Sequence, residues 1–373
     1  MKKKCSLLMV MLIVLTMIIS AAAVPVSAET TYTPISGSTT IVKNLVVDSD
    51  ANIPDVTFNY TLRRGTPVAA TATTIEILAS NTGGGTIEPA VFSNADTANC
   101  INGLPTDEDP SSPTSGKKYA QKEITIVLAD NSFTKPGVYR YEISEVSTPA
   151  LPGVVYDESP NRYLDVFVIA DEDNVLSVDS YVLRDEATAI NSNGSYSTDP
   201  EVKSSGYTNS ITQYDFEFSK TIAGNQGDKN KRFNFTVSIS GANPGTYPIE
   251  ATDVTDNPTS ITVTSNGTAS ASFKLTDGSS LKILDLNEGA VCQVKENAED
   301  YTATYTLDAG DSVSGSDSGA ITLYANHLVA FTNTRNGIIP TGVIVAVAPF
   351  AIGICVFGAV LIFIAVKRKR RPY

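Results

Sequence analysis

Tyr139-Arg140-Tyr141-Glu142-Ile143-Ser144-Glu145 alternates large apolar residues with polar ones, position by position. Successive side chains of a β-strand point to opposite faces, so Tyr139, Tyr141 and Ile143 define one apolar face. Glu145 shares that face, whereas Glu142 sits opposite with Arg140 and Ser144. The stretch therefore predicts a strand with one side turned to a core and a carboxyl group at its last inward position.

The same period of two recurs in Val56-Phe58-Tyr60-Leu62, Ile124-Ile126-Leu128, Phe233-Phe235-Val237-Ile239 and Ile261-Val263, with Gly, Pro, Asn and Asp clusters between the runs. No amphipathic helical period stands out. The pattern predicts an all-β chain, and 373 residues suffice for two tandem immunoglobulin-like β-sandwich domains. The boundary falls near Gln213, because one strand ends at Ile211 and a new alternation opens at Phe216-Phe218. The domains are then 29–213 and 214–336, joined by a linker short enough for them to abut. Asn94 to Lys118, rich in Pro, Ser, Asp and Gly, reads as a long exposed loop that carries Cys100.

Both ends are addresses rather than structure. Residues 1–28 have a short basic stretch, an apolar run from Leu7 to Ile19 and a close at Val26-Ser27-Ala28, the pattern of a secretory signal peptide. An uncleaved membrane anchor is the alternative. Residues 337–373 hold Ile338-Ile339-Pro340-Thr341-Gly342, an uncharged span over 343–366 and a basic tail over 367–373. The span is long enough to cross a bilayer, and the tail fixes its cytoplasmic side. That order of motif, span and tail resembles the cell-wall sorting signal read by sortases. By that resemblance the enzyme attacks the Thr341 carbonyl, releases everything from Gly342 onward and hands the acyl group to an amine. Pro340 is followed directly by Thr341, a shortened form of the common motif.

The formal charge is −13, and the two end segments hold 8 of the 27 basic residues but none of the 40 acidic ones, so the body between them carries −21. Such a surface repels phosphate backbones and excludes nucleic acid as a partner. Of four cysteines, Cys5 lies in the signal and Cys355 in the span, leaving Cys100 and Cys292 in different domains. No structural disulfide is expected, so an exported protein of this kind needs another staple.

Strand parity places three ionisable or amide residues inward in each domain. Lys43 goes with Ile41, Leu45 and Val47, Glu145 with Tyr139, Tyr141 and Ile143, and Asn209 with Tyr207 and Ile211. In the second domain Lys220 goes with Phe216, Phe218 and Ile222, Glu296 with Cys292 and Val294, and Asn333 with Val329 and Phe331. Burying an amine, an acid and an amide separately is costly. Desolvation lowers the pKa of a buried amine and raises that of a buried carboxyl group, which gives a neutral nucleophile beside a protonated acid. The acid can then polarise the carboxamide and pass a proton to departing ammonia, joining Lys to Asn by an isopeptide bond. Glu145 and Glu296 would promote the reaction, Lys43–Asn209 and Lys220–Asn333 would be the bonds, and each site would turn over once. The competing reading bends the lysines outward at strand ends, sets the glutamates on edge strands and leaves the asparagines in turns.

Together, Lys43, the Y-R-Y-E-I-S-E run, G-Y-T-N at 206–209, F-E-F-S-K ending at Lys220, V-K-E ending at Glu296 and A-F-T-N at 330–333 resemble sortase-assembled backbone pilins of Gram-positive bacteria. The immunoglobulin-like domains of those pilins, related to collagen-adhesin B-type domains, carry internal Lys–Asn bonds with a glutamate as promoter. The resemblance implies a secreted, wall-anchored shaft pilin with sortase, identical subunits, minor tip and base pilins and peptidoglycan as partners. It implies contact with the membrane only before sortase processing, and no cofactor or metal. In such shaft pilins the lysine that accepts the next subunit's threonine lies at the end of the first domain, a placement that Lys203 matches, although the Tyr-Pro-Lys-Asn string of other shaft families is absent. The alternative is a monomeric wall-anchored adhesin with the same domains.

Other chemistries find little footing. The single His327 has no serine or cysteine motif around it, and Asp171-Glu172-Asp173 reads as a solvated turn rather than a calcium site. No enzyme activity is expected beyond the single-turnover condensation.

Overall fold

The computed structural model describes residues 30–80, 82–96, 99–100, 117–196 and 203–337. The expected signal segment 1–28, the motif Pro340-Thr341-Gly342, the expected membrane span and the basic tail all lie outside the described residues, as do Cys5 and Cys355. What is described is all-β, with no helix among the described residues.

In the first domain the strand Ser38–Asp48 is central. It pairs parallel with Gly206–Ile211 and antiparallel with Lys117–Leu128, and Val154–Val155 and Gly85–Ile87 extend the sheet at its two sides. A second sheet runs in the order Leu176–Arg184, Asn161–Ala170, Gly137–Glu145, Tyr60–Arg64, with Ile77–Leu78 also on Gly137–Glu145. The inward parity of the two sheets makes one core, with Ile41, Leu45, Ile124 and Ile126 meeting Tyr139, Tyr141, Ile143 and Val166. Fully burying each such side chain contributes roughly 1.5–3 kcal/mol. Gly206 makes the parallel pairing possible. Its φ is +153°, and a Cβ there would collide with the Val42 carbonyl oxygen.

The second domain repeats the plan. Gln213–Ala223 pairs parallel with His327–Thr334 and antiparallel with Ser280–Asn287, and the facing sheet runs Thr268–Leu275, Phe233–Ser240, Val291–Asn297, Ile321–Thr322. Phe235 of the smaller sheet reaches Phe218 and Phe331 of the larger, both with ring centroids 5.4 Å away, which ties the layers together. In both domains, therefore, the first long strand lies parallel beside the last one. A bond between those two strands encloses nearly the whole domain.

Only Thr212 separates the strand ending at Ile211 from that beginning at Gln213. Its N–H donates to the Gly153 carbonyl at 3.3 Å and its carbonyl accepts from Glu288 N–H at 2.9 Å. Asn243 Nδ2 donates to the Pro152 carbonyl at 2.9 Å and Asn52 Nδ2 to Asp285 Oδ2 at 2.5 Å, so the two halves touch directly.

Two local expectations change. The run 56–62 is not one strand: Val56–Phe58 pairs with Ala90–Phe92, and Tyr60–Arg64 pairs with Gly137–Glu145, the break falling at Asn59. Alternation persists across the break because both pieces border the same core. The expected loop 94–118 is partly sheet, since Asn99–Cys100 pairs with Lys118 and Tyr119 on a strand that begins at Lys117. Polar composition hid this pairing because the strand lies at the sheet margin, where only backbone groups need partners.

Two buried Lys-Glu-Asn sites

Lys43 and Asn209 stand on the adjacent parallel strands, and Glu145 ends a strand of the facing sheet. Lys43 is in register with Tyr207, two residues before Asn209. Because residues two apart share a face, Lys43 and Asn209 point into the same interior. Lys43 Nζ donates to Glu145 Oε1 at 2.6 Å, and Asn209 Nδ2 donates to the same oxygen at 3.2 Å. Phe58 lies beneath the amine, 4.5 Å from ring centroid to Nζ, and Tyr60 Oη donates to Glu145 Oε1 at 3.4 Å.

The second domain has the same register. Lys220 is opposite Phe331, again two residues before the asparagine, here Asn333. Asn333 Nδ2 donates to Glu296 Oε1 at 2.8 Å, and Lys220 Nζ lies 2.7 Å from that oxygen as an ion-pair contact rather than an aligned hydrogen bond. Phe233 takes the place of Phe58, 4.6 Å from the amine. None of the six residues is more than 6% exposed. All three members of each triad are thus brought together, inward, on the strands the parity argument named.

Burial sets the electrostatics. It pulls the Lys43 amine down to about 8 from 10.5, even though the Glu145 carboxylate beside it pulls the other way. Burial also lowers Lys220 and raises Glu296, in each case over the opposing pull of the partner. In the second site burial thus pushes the amine toward its neutral form and the acid toward its protonated form.

The first site has a supporting shell that parity reasoning restricted to Lys, Glu and Asn did not seek. Asp157 N–H donates to Asn209 Oδ1 at 2.9 Å, and the Asp157 carboxylate accepts from Thr208 N–H at 2.9 Å. Arg162 clamps that carboxylate with Nη2 at 2.9 Å from both oxygens, and its Nε donates to the Gly206 carbonyl at 2.9 Å and to Ser204 Oγ at 2.8 Å. Arg162 shares parity with Leu164, Val166 and Val168, so the signal was present in the sequence. A second buried group lies on the outer side of the same sheet. Asp165 takes a two-pronged bond from Arg140, Nε at 2.6 Å and Nη2 at 2.8 Å, and accepts from Tyr196 Oη at 3.0 Å, while Arg184 stacks on the Tyr196 ring at 4.0 Å.

Lys203 is exposed, in an isolated bridge to Arg184, and Ser204 N–H donates to the Leu183 carbonyl at 3.0 Å. His327 Nδ1 lies 2.6 Å from Asp308 Oδ2 at the start of the last strand. Asp171 Oδ1 accepts from the N–H groups of Asp173 and Val175, an exposed hairpin turn. Cys292 is buried and its thiol is pushed up to about 12 by burial alone.

Residues 39–212 match the family described as the Spy0128-like isopeptide containing domain, and residues 214–335 match a domain of unknown function (DUF7601). A pilin from Streptococcus pyogenes serotype M1 is 27% identical over 364 residues, covering 94% of this chain and 95% of that protein. The crystal structure of the major pilin from Streptococcus pyogenes superposes with a TM-score of 0.46 and 22% identity, over 80% of this chain and 99% of the other. The major pilin protein T3.2 from the same species gives 0.45 and 19%, over 81% and 100%. Along most of its length the chain is thus similar to a streptococcal pilin, and its match to the Spy0128-like isopeptide containing domain spans residues 39–212.

Proposed function

We propose that the protein is the shaft subunit of a covalent pilus on a Gram-positive cell surface, stapled internally by Lys43–Asn209 and Lys220–Asn333 isopeptide bonds. The observation that carries this reading is the duplicated triad: two apolar interiors each press an amine and a carboxamide onto one glutamate oxygen. The neutral lysine nitrogen attacks the asparagine Cγ. The glutamate, touching both nitrogens, passes one amine hydrogen to Nδ2, the C–Nδ2 bond breaks and ammonia leaves. Each bond closes a loop of more than a hundred residues, which does the work of the missing disulfide.

Sortase then acts at the C-terminal motif. The Thr341 carbonyl is transferred from Gly342 to the exposed Lys203 amine of the next subunit, and at the base of the fibre to the peptidoglycan precursor. Tip and base pilins complete the fibre, and the membrane span is left behind at cleavage. The protein is a substrate of the sortase and its own single-use condensing agent, not an enzyme, and needs no cofactor.

Intact mass of the body 29–341 tests the staples: a deficit of two ammonias is expected, and a mass equal to the residue sum removes them. Wall extracts test the shaft. A detergent-resistant ladder that disappears in Lys203→Ala is expected, whereas a single anchored species in the unaltered strain makes the protein a monomeric adhesin.

A further inference from the structure

The two triads match in register, in burial and in the aromatic ring under the amine; beside the looser alignment of the Lys220 amine, they differ at the carboxamide oxygen. When an amine adds to a carboxamide carbon, the carbonyl electron pair moves onto the oxygen, and the tetrahedral intermediate carries its negative charge there. A fixed N–H aimed at that oxygen stabilises the developing charge without reorganisation. Asn209 Oδ1 has such a donor in Asp157 N–H, at 2.9 Å. Asn333 Oδ1 is buried and, among the described residues, has no hydrogen-bond partner.

From this difference we propose that the backbone N–H of Asp157 is the oxyanion donor of the first domain's condensation, and that the Lys43–Asn209 bond therefore closes well before Lys220–Asn333. The inference rests on the condensation proposed above. The donor is held in place rather than placed by chance. Arg162 grips the Asp157 carboxylate through two bonds while holding the Gly206 carbonyl and Ser204 on the segment that leads to Asn209. Thr208 N–H donates to the same carboxylate, which ties the loop directly to the asparagine strand. In the second domain the corresponding strand pairs laterally with Thr302–Leu307, and that pairing directs no donor at Asn333 Oδ1. The chemistry balances as before. The Nζ–Cγ bond forms, the π pair rests on Oδ1 opposite Asp157 N–H, Glu145 moves one hydrogen from Nζ to Nδ2, ammonia departs and the carbonyl re-forms.

The test follows both bonds in one molecule. The full chain is made by cell-free synthesis, quenched in acid at intervals and digested, and the two cross-linked peptides are quantified by mass spectrometry. Removing one oxyanion donor typically slows acyl chemistry by about 100-fold or more, so the Lys43–Asn209 peptide is expected to accumulate about 100-fold faster. Equal rates, or the second domain closing first, overturn the inference. A second arm replaces the amide between Tyr156 and Asp157 by an ester, introduced as the α-hydroxy analogue of aspartate, which puts an oxygen that cannot donate in place of the N–H and leaves every side chain unchanged. The first bond should then slow to about the rate of the second, with the second unchanged as internal standard; an unslowed first bond also overturns it. The rate ratio in the unaltered chain needs no variant, so an ester chain that misfolds does not shield the inference. Absence of both cross-linked peptides at every time would instead defeat the condensation itself.

Discussion

Lys43 Nζ and Asn209 Nδ2 donate to one and the same oxygen, Glu145 Oε1, at 2.6 and 3.2 Å. In the proposed condensation, a single acceptor shared by the attacking and the departing nitrogen lets one carboxyl group carry the hydrogen between them. Glutamine has the shape of glutamate but no exchangeable acid proton. Glu145→Gln is therefore expected to fall short of its own residue-sum mass by one ammonia where the wild type falls short by two, with the Lys220–Asn333 bond intact, and Glu296→Gln the converse. The two sites share no side chain, so the double variant should weigh its full residue sum. Intact mass with peptide mapping reads all three, and a Glu145→Gln chain short of two ammonias would remove the carboxyl group from the mechanism.

On the proposed condensation, Asn333→Ala deletes the second domain's bond, and with it the Asn333 Nδ2 to Glu296 Oε1 hydrogen bond, leaving Lys220 a free buried amine. A closed loop of more than a hundred residues constrains the unfolded chain by about 5 kcal/mol on the loop-entropy model. For a domain of this size that corresponds to a fall of roughly 15–30 °C in the second domain's melting temperature. Calorimetry should show that transition moving away from an unchanged first-domain peak. Coincident peaks at the wild-type temperature would mean that no cross-link had been lost.

The pH dependence of an Asn209→Ala chain reports the buried amine directly. There Lys43 stays free, and burial holds it at about 8 against its ordinary 10.5. Between those values the unfolded chain binds the additional proton, so stability rises as the pH climbs from about 8 to about 10.5. Below that window both states are protonated and the contribution is flat. The full gain is about 3 kcal/mol at roughly 1.4 kcal/mol per unit. In the wild type the proposed bond makes this nitrogen an amide that does not titrate, so the urea-midpoint gap between the two chains should narrow across the window. A constant gap would mean an unperturbed amine.

How much of this could be read from the sequence follows from what each feature depends on. Parity is a local property, so the inward setting of Lys43, Glu145, Asn209, Lys220, Glu296 and Asn333 was legible from runs of seven residues or fewer. Parity does not say which strands are neighbours. The parallel pairing that sets Lys43 opposite Tyr207, and Lys220 opposite Phe331, is a long-range fact of topology. The Asp157 N–H could not be read at all, because a backbone donor has no residue type. The Arg140–Asp165 pair was obscured for another reason: it lies on the polar face of its strands and is buried by the segment around Tyr196, so alternation marked it as solvent-facing.

The shared topology of the two domains also decides how a fibre would bear load. Force entering at Lys203 runs along the Gly206–Ile211 strand, through Thr212 and up the next strand to Lys220. If that residue is bonded to Asn333, force crosses to the last strand and leaves toward Thr341, so residues 221 to 332 carry none of it. Without the bond, the two parallel strands Gln213–Ala223 and His327–Thr334 must shear apart, and the domain between them unravels. Single-molecule pulling between positions 203 and 341 should therefore show no unfolding step in the wild type and one step of about a hundred residues' contour length in Lys220→Ala, at roughly 3.3–3.6 Å per residue. The same step in the wild type would mean that the second domain is not bypassed, and that a shaft built from this subunit would lengthen under load.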